Sequence, residues 1–135
     1  MKLTRRYRFS ASHRLETPAL SVEENRRLYG KCNNPYGHGH DYVLDVTLEG
    51  ARDAFGHVAN RAELDALVNG RVLARLDHKN LNTDVAEMAD AVPTTENLAS
   101  AIRGMLLKEW PLAARLHRVR ISETDRNIFE LDAAE

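Results

Sequence analysis

The chain has 135 residues, of which 43% are hydrophobic and 29% are charged, and its formal net charge is −1. This length predicts one globular, soluble domain over residues 1–135. The sequence has no dense run of Lys or Arg and no stretch of 18 apolar residues, so we expect neither nucleic acid nor a membrane as a partner. It has one cysteine and no apolar segment near its basic N-terminus, which predicts a cytoplasmic protein without a secretory signal.

The first third of the chain predicts two strands, because apolar and polar residues alternate there. Residues 2–13 place four apolar side chains on one face of a strand, namely Leu3, Tyr7, Phe9 and Ala11. Arg5 is the one break in this alternation. The same period returns from His38 in a second strand, whose inward face carries Tyr42, Leu44, Val46 and Leu48. A short helix is expected between the strands, at residues 21–28.

Two further helices are predicted in the middle of the chain. Asn60 and Glu63 resemble a capping box at the start of the first helix, whose apolar residues are Leu64, Leu67, Val68, Val72 and Leu76. The second helix opens at residues 93–96 and ends before Pro111. Its apolar stripe consists of Leu98, Ile102, Met105 and Leu106.

The last part of the chain returns to the strand period, at Val119 and Ile121 and again at residues 128–131. Strands, then helices, then strands predict an α+β fold. We expect a four-stranded antiparallel sheet made of two β-hairpins, with two helices inserted between the hairpins. The open edges of such a sheet favour self-association.

Three histidines share the inward face of the first two predicted strands. His38 and His40 are two residues apart and therefore project to the same side, and His13 is in phase with the apolar residues of the first strand. Three imidazoles on an apolar face are costly unless a partner satisfies them, and a divalent metal does so. Neutral imidazoles suit Zn²⁺, and three protein ligands leave a fourth position open for water or substrate. The pattern predicts one Zn²⁺ per chain.

Four other residues are candidates whose roles the spacing leaves open. Cys32, six residues before His38, could be a fourth zinc ligand, a reactive thiol beside the metal or a small buried hydrophobic residue. Asp77 and His78 could be an acid–base pair or a polar turn. Glu123 occupies the inward phase of an apolar strand and needs a partner, either an arginine or a ligand with paired N–H donors.

Five segments together resemble the family of 6-pyruvoyl-tetrahydropterin and 6-carboxy-tetrahydropterin synthases. They are Phe9-Ser-Ala-Ser-His13, Cys32-Asn-Asn-Pro-Tyr-Gly-His-Gly-His40, Leu76-Asp-His-Lys-Asn-Leu81, Pro93-Thr-Thr-Glu-Asn97 and Ser122-Glu-Thr-Asp125. They occur in the family's order and span nearly the whole chain. The resemblance implies a T-fold subunit in a homohexamer, a dimer of trimers, with active sites between subunits.

The resemblance also implies a role for each candidate residue. It implies that the zinc ligands are His13, His38 and His40. It implies a catalytic triad of Cys32, Asp77 and His78. It also implies that a neighbouring subunit supplies Asp77 and His78. It implies that the pterin ring of the substrate is anchored by Glu123 in a pocket lined by Thr94 and Thr95.

The activity that the resemblance implies is that of a lyase acting on 7,8-dihydroneopterin triphosphate. Triphosphate leaves, with or without Mg²⁺, and tautomerisation gives 6-pyruvoyl-tetrahydropterin. The alternative is the 6-carboxy-tetrahydropterin branch of queuosine biosynthesis, which usually has its cysteine four residues before the histidine pair. A non-catalytic pterin-binding protein would need neither Cys32 nor zinc. A zinc hydrolase is disfavoured, because the sequence has no His-Glu-x-x-His motif.

Overall fold

One five-stranded sheet organises the computed structural model, which describes residues 1–134. The strands are β1 (Lys2–His13), β2 (His38–Glu49), β3 (Lys79–Asn80), β4 (Arg115–Ser122) and β5 (Ile128–Asp132). Their order in the sheet is β3-β1-β2-β4-β5. Strands β1, β2, β4 and β5 pair antiparallel to their neighbours, whereas β3 runs parallel to β1. The α+β class and the two hairpins are confirmed.

The prediction of four strands was wrong by one short strand. Strand β3 has two residues, which is too short to carry an alternating pattern that sequence reasoning could detect. The backbone on either side of it is tied to the edge of β1. His78 N donates to Ser10 O at 2.6 Å, and Leu81 N donates to Ser12 O at 2.8 Å.

The helices begin at the residues that the sequence indicates. Helix α1 (Val22–Tyr29) starts with a capping box between Ser21 and Glu24. Helix α2 (Arg61–Val68) starts at Asn60, whose side chain accepts from Glu63 N, and continues through a π-helical turn (Asn69–Leu73) into the short α3 (Ala74–Leu76). Helix α4 (Thr95–Leu107) ends before Pro111. Among residues 1–134, none of these helices is both long and apolar enough to cross a bilayer.

The core lies between the inward face of the sheet and the helices. The four predicted inward residues of β2 are fully buried, as are most of the predicted apolar residues of α2 and α4. They form one cluster with Phe9, Ala11, Val119 and Ile121. The cluster fixes which face of β1 and β2 points inward, and it therefore also fixes the direction of the histidines at one end of these strands.

Arg5 faces inward in β1, and a partner on α2 explains why the alternation tolerates it. Asp65 accepts hydrogen bonds from Arg5 Nε at 3.1 Å and from Arg5 Nη2 at 2.6 Å, and its Oδ1 also accepts from the Tyr7 hydroxyl at 2.7 Å. The Arg5 guanidinium, followed by the Tyr7 hydroxyl, lowers the pKa of Asp65 below its ordinary value. This network joins α2 to β1.

We expect the Asp65→Asn variant to unfold about 3–6 °C below the unmodified protein at neutral pH, because it loses its charge-assisted bonds to Arg5. The folded-state pKa of Asp65 is lowered, so its stabilisation is complete above the unfolded-state pKa of about 4 and is lost as the pH falls through the folded-state pKa. Thermal unfolding from pH 7 to pH 2.5 measures this. The gap in melting temperature should narrow as the pH falls below 4, and a gap as large at pH 2.5 as at pH 7 would contradict the assignment. The exposed Asp90→Asn variant is the control.

Candidate metal centre and active site

The three inward histidines meet at the end of the β1–β2 hairpin. His13 and His38 are directly opposite in the antiparallel register, and His40 is opposite Ala11. One possible ligand atom from each histidine lies within 4.8 Å of the other two. The rings meet edge to face, with centroids 4.5–5.1 Å apart. The convergence that strand phase predicted is therefore present in the structure.

Two buried ring nitrogens of the cluster lack a hydrogen-bond partner among the described residues. His13, whose side chain is 1% exposed, donates from Nδ1 to Pro93 O at 2.7 Å, and its Nε2 is 3.0 Å from Nε2 of His38. A bond of this kind to the far ring nitrogen is what orients a metal-binding imidazole. His38 Nδ1 and His40 Nε2 are buried without a hydrogen-bond partner among the described residues. Unpaired buried nitrogens are costly, so this donor set fits a bound divalent ion.

Burial favours the neutral form of the His13 and His38 rings. Burial lowers the pKa of His13, and the hydrogen bond to Pro93 only partly opposes this effect. Burial also lowers the pKa of His38, and the neighbouring His40 lowers it further. Neutral imidazole is the form that binds a metal ion.

Glu123 directly follows β4 and brings a carboxylate to the histidine cluster. Its Oε1 is 3.5 Å from His40 Nε2 and 3.7 Å from His13 Nε2, and its side chain is 16% exposed. The Thr95 hydroxyl donates to the same oxygen at 3.0 Å. Asn127 Nδ2 lies 3.5 Å from the other oxygen. The carboxylate thus has its contacts on the inward side, as its strand phase predicted.

The neighbouring arginines of β4 do not compete for this carboxylate from the inward side. Arg118 and Arg120 lie on the opposite face of the sheet, where they pair with Asp132 and Glu130.

The two threonines of the predicted pocket differ in their contacts. Thr95 contacts Glu123, whereas the Thr94 hydroxyl caps α4 by accepting from Asn97 N.

Cys32 lies in a short 3₁₀ turn (Gly30–Asn33) that leads toward β2, and its thiol is free and half-buried. Its carbonyl accepts from Leu15 N at 2.7 Å, which ties the turn to the segment after β1. Cys32 is not part of the metal-competent cluster found among residues 1–134, which consists of three histidines. The thiol therefore lies outside this cluster.

Asp77 and His78 lie beside the outer edge of β1, and His78 lines a surface cavity that His40 also lines. Asp77 Oδ1 accepts from Ser10 N at 2.9 Å, and Asp77 Oδ2 is 3.6 Å from Nε2 of His78. The His78 side chain is 83% exposed, and its backbone has a φ of 60°, which is uncommon outside glycine. Residues held in such conformations are enriched at functional sites.

Sequence reasoning missed one polar group of the site, the hydroxyl of Tyr42. We predicted Tyr42 only as a core residue of β2. Its ring is fully buried and stacks on Phe9, and burial together with Glu123 raises the pKa of its phenol. The available signal was its position two residues after His40, on the same face of the strand.

The fold and the site define an α+β protein with a candidate three-histidine metal centre at one end of its sheet. The chain belongs to the 6-pyruvoyl tetrahydropterin synthase family, whose family model matches residues 2–134. The structure of the Caenorhabditis elegans 6-pyruvoyl tetrahydropterin synthase superposes with a TM-score of 0.90 at 39% identity, and the match covers 98% of this chain and 94% of that one.

Curated relatives support the same family. The 6-pyruvoyl tetrahydrobiopterin synthase of Homo sapiens is 49% identical over 128 residues, which cover 94% of this chain and 88% of the human protein. The enzyme of the same name from Poecilia reticulata is 49% identical over 127 residues, covering 93% of this chain and 86% of its own length.

Proposed function

We propose that the chain is a zinc-dependent 6-pyruvoyl-tetrahydropterin synthase, a lyase that converts 7,8-dihydroneopterin triphosphate to 6-pyruvoyl-tetrahydropterin and triphosphate. The observation that carries the proposal is the junction of three converging imidazoles with the inward carboxylate of Glu123. This junction places ligands for a metal ion next to a carboxylate that can anchor a nitrogen heterocycle. The names of the relatives at 49% identity support the same activity.

The proposed metal ligands are His13, His38 and His40. Zn²⁺ bound there would supply Lewis-acid stabilisation of the negative charge that develops on the oxygens of the substrate side chain. The buried, unpartnered Nε2 of His40 and the close approach of His13 Nε2 and His38 Nε2, at 3.0 Å, support this assignment. The ring of His13 is held in place by its bond to Pro93.

Cys32 is proposed as the base that removes a proton from the substrate side chain. A small fraction of a free thiol is ionised near neutral pH, and a thiolate is a competent base. Asp77 and His78 would return protons, with the carboxylate orienting the imidazole. As the family resemblance implies, we propose that each active site takes this pair from a neighbouring subunit of a homohexamer, a dimer of trimers.

Glu123 is proposed as the anchor of the pterin ring, with Thr94 and Thr95 lining the pocket. A pterin presents a 2-amino group and a ring N–H, which match the two oxygens of one carboxylate. We further propose a single domain over residues 1–135, a cytoplasmic location, and Mg²⁺ as an optional companion of the substrate's triphosphate.

The Glu123→Gln variant is expected to lose pterin affinity by about 2–5 kcal/mol, because the amide keeps the size of the side chain but loses the charge and one acceptor. Its metal content should change little. Calorimetric titration with 7,8-dihydroneopterin and metal analysis measure the two quantities. Glu130→Gln, on the opposite face, is the matched control and should bind normally. Equal affinity in the two variants would leave Glu123 a structural residue.

Product analysis tests the proposed activity directly. The protein is incubated with 7,8-dihydroneopterin triphosphate, and the products are identified by mass spectrometry. We expect 6-pyruvoyl-tetrahydropterin and inorganic triphosphate. Formation of 6-carboxy-tetrahydropterin with acetaldehyde would establish the alternative branch. Pterin binding without turnover would establish a non-catalytic pterin-binding protein.

A further inference from the structure

The hydroxyl of Tyr42 is buried and has no hydrogen-bond partner among the described residues. The residue is 0% exposed, and its ring is held from two sides. It stacks on Phe9 with centroids 5.0 Å apart and planes 15° apart, and it meets the His40 ring edge-on at 5.6 Å. The direction of the hydroxyl is therefore fixed by packing.

An unpartnered hydroxyl in a core is destabilising, and phenylalanine would fill the same space without that cost. The hydroxyl is shielded from solvent, so a ligand in the pocket does not reach it directly. A role for this group must therefore pass through a neighbouring side chain whose hydrogen bonding changes.

Thr95 and Glu123 are the neighbours that such a role requires. The charge of Glu123 raises the pKa of the Tyr42 phenol, and a side-chain contact with Thr95 lowers it, although that contact lacks the geometry of a hydrogen bond. The Thr95 hydroxyl already donates its proton to Glu123 Oε1 at 3.0 Å, and its own oxygen can still accept. A small shift of Thr95 would therefore complete a chain from Tyr42 through Thr95 to Glu123.

We propose that Tyr42 is a positioning residue for Glu123, donating to Thr95 Oγ1 when a pterin engages the Glu123 carboxylate. This inference rests on the proposed function. Without ligand, Glu123 Oε1 is within 3.7 Å of both His13 Nε2 and His40 Nε2. A ligand with two N–H donors draws both carboxylate oxygens toward itself, and Thr95 follows the carboxylate. The Tyr42 hydroxyl then gains an acceptor and holds Thr95 in place.

The Tyr42→Phe variant separates this role from a structural one. We expect the melting temperature of the unliganded variant to be unchanged or higher, and its metal content to be unchanged. Its dissociation constant for 7,8-dihydroneopterin should rise roughly three- to tenfold, the effect of one lost hydrogen bond. The matched control is Tyr7→Phe. The Tyr7 hydroxyl already has its partner, Asp65, so this variant should melt at a lower temperature and bind the pterin normally.

A double variant tests the route through Thr95. In a Thr95→Val background, Tyr42→Phe should have no further effect on the dissociation constant. An undiminished effect in that background would overturn the proposal, as would an affinity of Tyr42→Phe equal to that of the unmodified protein. If Glu123→Gln weakens binding while Tyr42→Phe does not, the positioning role fails alone. If the unmodified protein does not bind the pterin, the proposed function fails, and the positioning role fails with it.

Discussion

The Cys32→Ala variant is expected to keep its metal and its fold while its turnover falls by a factor on the order of 10²–10⁴, the usual contribution of a positioned acid or base. Three histidines already converge without the thiol, which lies outside their cluster. The backbone of Cys32 accepts from Leu15, and this bond does not depend on the side chain.

Turnover of 7,8-dihydroneopterin triphosphate and metal content per chain measure the outcome for Cys32. The Cys32→Ser variant is a useful companion, because serine keeps a polar group of similar size but is far less ionised than a thiol. The turnover of Cys32→Ser should be nearly as low as that of Cys32→Ala. Loss of the metal together with the thiol would instead indicate a closed, structural site, and the catalytic role would be rejected.

The His40→Ala variant is expected to lose most of its metal, because it removes one of the three proposed protein ligands. Its affinity for Zn²⁺ should fall by more than the roughly 10- to 100-fold that loss of an outer partner of a ligand causes. Metal analysis after dialysis measures this loss, with circular dichroism to verify the fold. The exposed His57→Ala is the matched control and should retain its metal. Full retention in His40→Ala would remove His40 from the proposed ligand set.

Much of the fold could be predicted because its main signals are local. The alternation in β1 and β2 predicted the inward faces, and the cap residue Asn60 predicted a helix start within one residue. Two features had no local signal. Strand β3 is too short to show a period, and the partner of Arg5 is Asp65, 60 positions away in the chain.

The site was predictable to the extent that strand phase determines it. Strand phase alone predicted that His13, His38 and His40 lie on one face and that Glu123 points inward, and the structure places them so. Phase does not reveal which groups meet across the core, so the contact of Thr95 with Glu123 and the unpartnered hydroxyl of Tyr42 required the structure. The roles that the family resemblance implies for Cys32 and for Asp77 and His78 stay predictions.

The pairing of His13 with His38 across the hairpin has a consequence for how the chain folds. A slip of one residue between β1 and β2 would turn every side chain of one strand to the other face, and the three imidazoles would no longer converge. An ion that needs all three ligands would therefore bind the native register and not its competitors, and by mass action it would stabilise that register alone. Metal binding by these three side chains would then be coupled to the correct pairing of the two longest strands, because the ion would bind only when β1 and β2 are in the native register.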